Sequence, residues 1–158
     1  MIAGKLPLVA VEVLVDTSVW SLLLRRKPGD RAGFAQAQLR SLDALRDLVA
    51  EGLAWMPGPV RQELLSGIKL RSQFATLLQA VQAFETPALE SADFEYAAEC
   101  SNACRAVGVQ GSPVDFLLTA LALRYRLPVL TLDQDFFHFR RVLPLEMHAA
   151  SSAGILSA

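Results

Sequence analysis

Soft metal ligands are scarce in this chain of 158 residues, which has two cysteines, Cys100 and Cys104, and two histidines, His138 and His148. The cysteines stand four apart in a stretch that reads as helix, a spacing that places both on one face. With no second cysteine pair and no histidine nearby, they read as small core residues rather than half of a zinc site. No disulfide framework is available, so a reducing, cytoplasmic setting is expected. Lysine is confined to Lys5, Lys27 and Lys69, and the formal net charge is −1. Nothing global draws the chain to nucleic acid, and any such binding must come from local basic clusters or from metal ions. Charged residues make up only 20% against 53% hydrophobic, a balance that argues against disorder.

Long apolar runs are missing too. Leu6 to Val15 is broken by Pro7 and Glu12 and followed by Asp16, Thr17 and Ser18, not by a small-residue cleavage site. Val19 to Leu24 is far too short to cross a bilayer. A soluble protein with no membrane partner is expected, with residues 1–10 as a leader into the first strand. No internal repeat, linker or low-complexity block divides the chain. One domain over residues 1–150 is expected, with a small, polar, mobile tail from Ala149 and especially over 151–158.

What is present is an alternation of short valine- and leucine-rich strands with amphipathic helices. Strands are expected at Val11–Val15, Leu53–Met56, Phe84–Thr86, Val129–Leu132 and Leu145–His148. Helices are expected at Val19–Arg26, capped by Asp16, Thr17 and Ser18, and at Asp30–Ala50, with Asp30 as N-cap. Further helices are expected at Val60–Ser66, Lys69–Ala83, Ser91–Val107, Val114–Tyr125 and, as a single turn, Asp135–Phe139. This order implies an α/β fold with a central, mostly parallel sheet flanked by helices on both faces. Ligands of such sheets lie beyond the carboxyl ends of the strands.

Carboxylates occur where the pattern does not call for them: Asp16 in "VLVDTSVW", Glu63 in "PGPVRQELLSG", Asp115 in "GSPVDFLLTALAL", and Asp133 with Asp135 in "LTLDQDF". Singly, each has an ordinary role. Asp115 and Glu63, read in the first turns of their helices, would favour the helix N-terminus. Those separate roles do not explain why Asp16 and Asp133 both follow strands. If the acids converge, each like-charged pair about 4 Å apart costs about 4 kcal/mol at an effective dielectric near 20. Such a cluster raises its own pKa values or takes up cations. An all-oxygen donor set suits Mg²⁺ or Mn²⁺, and the chemistry it favours is metal-assisted attack of water on a phosphodiester.

The ordered set "VDTSVW", "VRQELLSG", "PVDFLLTALAL" and "LPVLTLDQDF" resembles the PIN-domain ribonucleases, most of all the VapC-type toxins of toxin–antitoxin pairs, over roughly Val11 to His148. The resemblance implies a three-layer PIN-like domain and a Mg²⁺- or Mn²⁺-dependent endoribonuclease acting on RNA. Carried over by position, Asp16, Glu63, Asp115 and Asp133 form the implied catalytic and metal-holding set, and Asp135 the second acid of the last motif, ligating through water. A homodimer and a cognate antitoxin protein are implied as partners. The chain differs from the family pattern in the ten or so residues before its first strand and in the bulk of "FLLTALAL".

Around these acids, Ser18 is a candidate for holding a water or a scissile phosphate oxygen, while Thr17 reads as a cap, Thr131 as support for the last loop and Gln134 as a solvent-facing spacer. His138 is a candidate proton donor that reads more simply as a surface residue. Among the basic clusters, Arg25-Arg26-Lys27 with Arg31 is the chosen RNA contact, through Arg25 and Arg26. Arg124 with Arg126 and Arg140-Arg141 are the others. Trp20, Leu22, Leu23 and Leu24 would line a groove for an antitoxin helix or a second subunit if one helix face cannot bury them all. Two alternatives stand. A catalytically inactive PIN-like binding subunit would keep the fold without activity. A haloacid-dehalogenase-type phosphatase would also place Asp16 after the first strand, but it wants an acid where Ser18 stands and a lysine the chain does not offer.

Overall fold

The computed structural model describes residues 10–153. Three short strands, β1 (Val13–Val15), β2 (Ala54–Trp55) and β3 (Val129–Leu130), form a parallel sheet in the order β2-β1-β3. All three residues of β1 are buried, as expected of a central parallel strand covered on both faces. Val13 pairs with Ala54, Leu14 with both Trp55 and Val129, and Val15 with Leu130. The helices are α1 (Thr17–Leu24), α2 (Gln36–Ala50), α3 (Gly58–Leu65), α4 (Arg71–Val81), α5 (Ser91–Arg105), α6 (Pro113–Tyr125) and α7 (Gln134–Phe139), with a 3₁₀ turn at Pro28–Gly33. The three-layer α/β arrangement expected from the sequence is the one observed.

α6 is the central helix. Phe116 to Ala122 are seven consecutive buried residues, so this stretch shows no polar face because it has no solvent face. α5 lies along it, and Cys100 and Cys104 are buried side chains of α5. Burial pushes the Cys100 thiol up to about 11, and burial raises Cys104 as well. Both are buried, protonated-thiol positions in the core.

α1 has no free apolar stripe. Val19, Trp20 and Leu22 are buried, and Leu23 and Leu24 pack against the core. Trp20 Nε1 donates to Trp55 O at 3.3 Å and its ring meets Phe84 edge-on at 4.8 Å, tying α1 to β2. The groove expected from Trp20 to Leu24 is therefore filled by the protein's own core.

Several element boundaries differ from expectation. Residues 28–33 form a separate 3₁₀ turn, in which Asp30 accepts the Lys27 N–H at 3.0 Å. α2 begins only at Gln36, with Gln38 accepting the Ala35 N–H at 2.8 Å. Phe84–Thr86 is not a strand. The Arg61 guanidinium takes the Phe84 carbonyl and, at 2.7 Å, Thr86 Oγ1, holding the segment as coil. The last strand contracts to one parallel bridge between Met147 and Val129.

The leader expected over residues 1–10 lies outside the described residues except for Ala10, as do residues 154–158 of the expected tail. The part of that tail that is described is not loose. Ser41 Oγ donates to Ala150 O at 2.8 Å, and the Ser152 N–H donates to Thr131 O at 3.2 Å.

Candidate metal centre

β1 and β3 run parallel side by side, so the residues that follow them emerge at one edge. Asp16, just past β1, donates its N–H to Leu130 O at 3.0 Å. Its side chain occupies the N-cap position of α1 but makes no capping bond. It turns instead to β3: Oδ2 accepts from Ser18 Oγ at 2.8 Å and from Thr131 Oγ1 at 2.9 Å. Each hydroxyl has a second task. Ser18 Oγ accepts the Leu132 N–H at 3.0 Å, and Thr131 Oγ1 accepts the Asp133 N–H at 2.9 Å. Two hydroxyls thus pin the β3–α7 loop to the Asp16 carboxylate, each donating its proton to Asp16 and accepting a backbone N–H of that loop. The Asp16-Thr17-Ser18 cap expected from the sequence is replaced by this clip.

Asp133 in turn caps α7, its Oδ1 accepting the Asp135 N–H at 2.9 Å. Asp115 is held at the start of α6 by a reciprocal pair with Ser112. The Asp115 N–H donates to Ser112 Oγ at 3.1 Å, and the Ser112 N–H donates to Asp115 Oδ2 at 3.3 Å. This is a capping box, which satisfies two amides that the helix leaves free. The S-P-V-D spacing from Ser112 to Asp115 carries that signature in the sequence.

The loop before α6 is pressed onto α7. A Cβ on Gly111 would lie 2.3 Å from the Phe139 Cζ, and Phe116 stacks on Phe139 with centroids 4.6 Å apart. With α6 and α7 so joined, Asp115, Asp133 and Asp135 each bring a carboxylate oxygen within 4.8 Å of the others. Asp16 and Glu63 lie outside this tight group but within its field.

The electrostatics follow the geometry. Burial raises the Asp16 pKa, the Ser18 and Thr131 hydroxyls oppose the shift, and Asp133 adds to it. Glu63 is raised by burial, then by the charge of Asp16, with smaller pushes from Asp115 and Asp133. Asp115 is raised by burial and by Asp133 and Asp135, against the Ser112 hydrogen bonds. Asp135 is raised by burial and by Asp133, and His138 pulls it back. Five acids from four separate stretches of chain therefore act on one another.

Glu63 has no local reason to be acidic. The sequence places it in the first turns of its helix, but α3 starts at Gly58 and ends at Leu65, so Glu63 stands in the last turn, where the helix dipole disfavours negative charge. The Thr17 hydroxyl lies close enough to favour its ionised form, yet is buried with no partner at hydrogen-bonding distance among the described residues.

The expected basic residues are placed differently. Arg25 and Arg26 are exposed just beyond the far end of α1, about 12 Å along the axis from the acidic end at 1.5 Å per residue. Arg31 pairs with Asp43 at 2.7 Å. Arg124 is committed to Asp93, whose side chain is fully buried, and to Glu90 at 2.8 Å. It locks α5 to α6 and is not free for RNA. Arg140 and Arg141 are exposed.

The donor chemistry fits a hard divalent cation. All of its donors are oxygens, three carboxylates converge, and four of the five acids have raised pKa values that a cation would offset. A small parallel sheet between helices carries an acidic cluster at its carboxyl edge, the place where ligands of such α/β folds lie. The PIN domain model matches residues 13–142, and the chain belongs to the PIN domain family. PIN domains are generally nucleases. Comparison with curated proteins gives no individual match.

Proposed function

We propose that the protein is a Mg²⁺- or Mn²⁺-dependent endoribonuclease and the toxin component of a VapC-type toxin–antitoxin pair. The observation that carries this reading is the convergence of Asp115, Asp133 and Asp135 within 4.8 Å, with Asp16 and Glu63 in their field. A bound divalent ion would supply activation of water and neutralisation of phosphate charge. Asp115, Asp133 and Asp135 are the residues to hold it, with Asp16 and Glu63 completing the negative bowl. The protein's own contribution is orientation. Capping bonds fix Asp115 and Asp133, and two hydroxyls fix Asp16, so the acids need little rearrangement when charge arrives. Arg25 and Arg26, in this reading, meet phosphates flanking the cleaved bond. A homodimer, a cognate antitoxin and a cytoplasmic location belong to the same proposal.

The phosphatase alternative loses ground, because the Ser18 hydroxyl is engaged with Asp16 and Leu132 where that chemistry wants an acid. The inactive-subunit reading is opposed by the presence of all five acids. The test is cleavage of RNA by purified protein in Mg²⁺ or Mn²⁺, with loss of activity in excess EDTA and in Asp133→Asn. Undiminished cleavage in EDTA would overturn the mechanism. Expression that arrests growth, with relief by Asp16→Asn, tests the toxin role, and indifference to that substitution would count against it.

A further inference from the structure

Thr131 has the side chain that joins the two halves of the acidic site. Its Oγ1 donates to Asp16 Oδ2 and accepts the Asp133 N–H, both at 2.9 Å. Where the backbone places this hydroxyl sets the geometry of both bonds, and β3 ends at Leu130, one residue before Thr131.

The C-terminal segment supplies the hold. Ser151 Oγ accepts the Thr131 N–H at 3.1 Å and donates to Val129 O at 2.9 Å. The Ser152 N–H donates to Thr131 O at 3.2 Å. Past the Met147–Val129 bridge, where a regular edge strand would go on to pair with Thr131, one serine side chain and one amide hold that residue. The segment is itself anchored away from the acids. The His148 N–H donates to Val129 O at 2.8 Å, the Ala150 N–H donates to His148 Nδ1 at 3.0 Å, and Ser41 Oγ of α2 donates to Ala150 O. Thr131 is fully buried, so loosening any of these bonds leaves its polar groups few substitutes.

We propose that the segment His148–Ser152 is a positioning element of the acidic site, acting through the backbone of Thr131 on Asp16 and Asp133. The consequence for metal affinity rests on the metal-dependent reading above. Partners in the shells outside a metal's ligands typically contribute about 10- to 100-fold in affinity. Ser151 lies one residue further out, so its loss belongs at the low end.

The experiment compares the full chain with Ser151→Ala and with Ser151→Thr, which keeps the hydroxyl. Mn²⁺ affinity is read by titration calorimetry, and amide exchange at residues 131–133 is read in EDTA. Ser151→Ala is expected to bind Mn²⁺ on the order of tenfold more weakly. It should also speed exchange at Thr131, Leu132 and Asp133 while leaving α4 amides unchanged, and Ser151→Thr should restore both. Exchange at these amides that matches wild type, or wild-type Mn²⁺ affinity in Ser151→Ala, overturns the proposal. If Ser151→Ala does not fold, Ser41→Ala, which removes the hydroxyl that anchors Ala150 O, carries the same two measurements. A wild-type protein that binds no Mn²⁺ overturns the metal reading instead, and the exchange data then judge the brace by themselves.

Discussion

Asp135→Asn removes one of three negative charges whose oxygens lie within 4.8 Å of one another in Asp115, Asp133 and Asp135. Two unit charges at that separation repel by about 3.5 kcal/mol at an effective dielectric of 20 and by about 0.9 kcal/mol in bulk water. All three side chains keep some contact with solvent, so the screened end of that range applies, about 1 kcal/mol per pair. Asp135 takes part in two of the pairs. Its backbone N–H, not its carboxylate, makes the Asp133 cap. The substitution therefore removes about 2 kcal/mol of repulsion and loses a few tenths of favourable charge at the start of α7. A net gain of about 1.5 kcal/mol corresponds to a melting temperature about 3–6 °C higher for a chain of this length.

The assay is thermal or urea unfolding in EDTA at neutral pH. The pH dependence provides a second check. Asp115 and Asp135 have raised pKa values in the fold, so the folded protein holds these protons more tightly than the unfolded chain does. Their repulsion is therefore present at neutral pH and is relieved as pH falls through the folded values. The advantage of Asp135→Asn should shrink on acidification and disappear below the ordinary carboxylate range. In saturating Mg²⁺ the wild type should recover the lead, because an ion bound only by the native state stabilises it by mass action. A variant less stable than wild type in EDTA would refute the claim that these acids repel.

Three further outcomes are expected. Gly111→Ala places a methyl 2.3 Å from Phe139 Cζ and 3.2 Å from Phe116, so it should cost about 1–3 kcal/mol by urea unfolding and weaken Mg²⁺ binding by moving α7 away from α6. Arg126 closes α6 in the left-handed region at φ 54°. Arg126→Gly should stabilise the fold by about 1 kcal/mol, and thermal unfolding checks it. Arg124→Met should lower the melting temperature by more than Arg31→Met, because it strands the buried Asp93 carboxylate. Burial pushes Asp93 up, but the Glu90 N–H and the Arg124 guanidinium outweigh it and its pKa is lowered. Its stabilisation is thus present above the ordinary Asp range and lost as pH falls through the folded value. Asp93→Asn in the Arg124→Met background should recover part of the loss.

The sheet and the two strand-end acids were legible because they rest on local pattern. A run of branched residues that stops on Asp16, and another that stops near Asp133, points to the carboxyl edge of a parallel sheet without any tertiary information. Asp115 was legible for a second reason, since an acid heading an apolar helix is out of place anywhere but at its N-terminus. Glu63 was misplaced within its helix because the helix was expected to begin at Val60, after Pro57 and Pro59, and to run to Ser66, whereas α3 is Gly58–Leu65. Proline is well tolerated in a first helical turn. The basic residues were the hardest to assign. Nothing near Arg124 in the sequence announces Glu90 and Asp93, more than thirty residues earlier. The same holds for Ser151 and Thr131, twenty residues apart, whose contact depends on where β3 stops.

The acids are spread along the chain from Asp16 to Asp135, and synthesis runs in that order. A nascent polypeptide that has emerged only as far as β3 has Asp16, Glu63 and Asp115 but neither Asp133 nor Asp135, two of the three converging carboxylates. Translation products that stop at β3 therefore hold only Asp115 of that group, and the cluster cannot assemble until nearly the whole domain has been made.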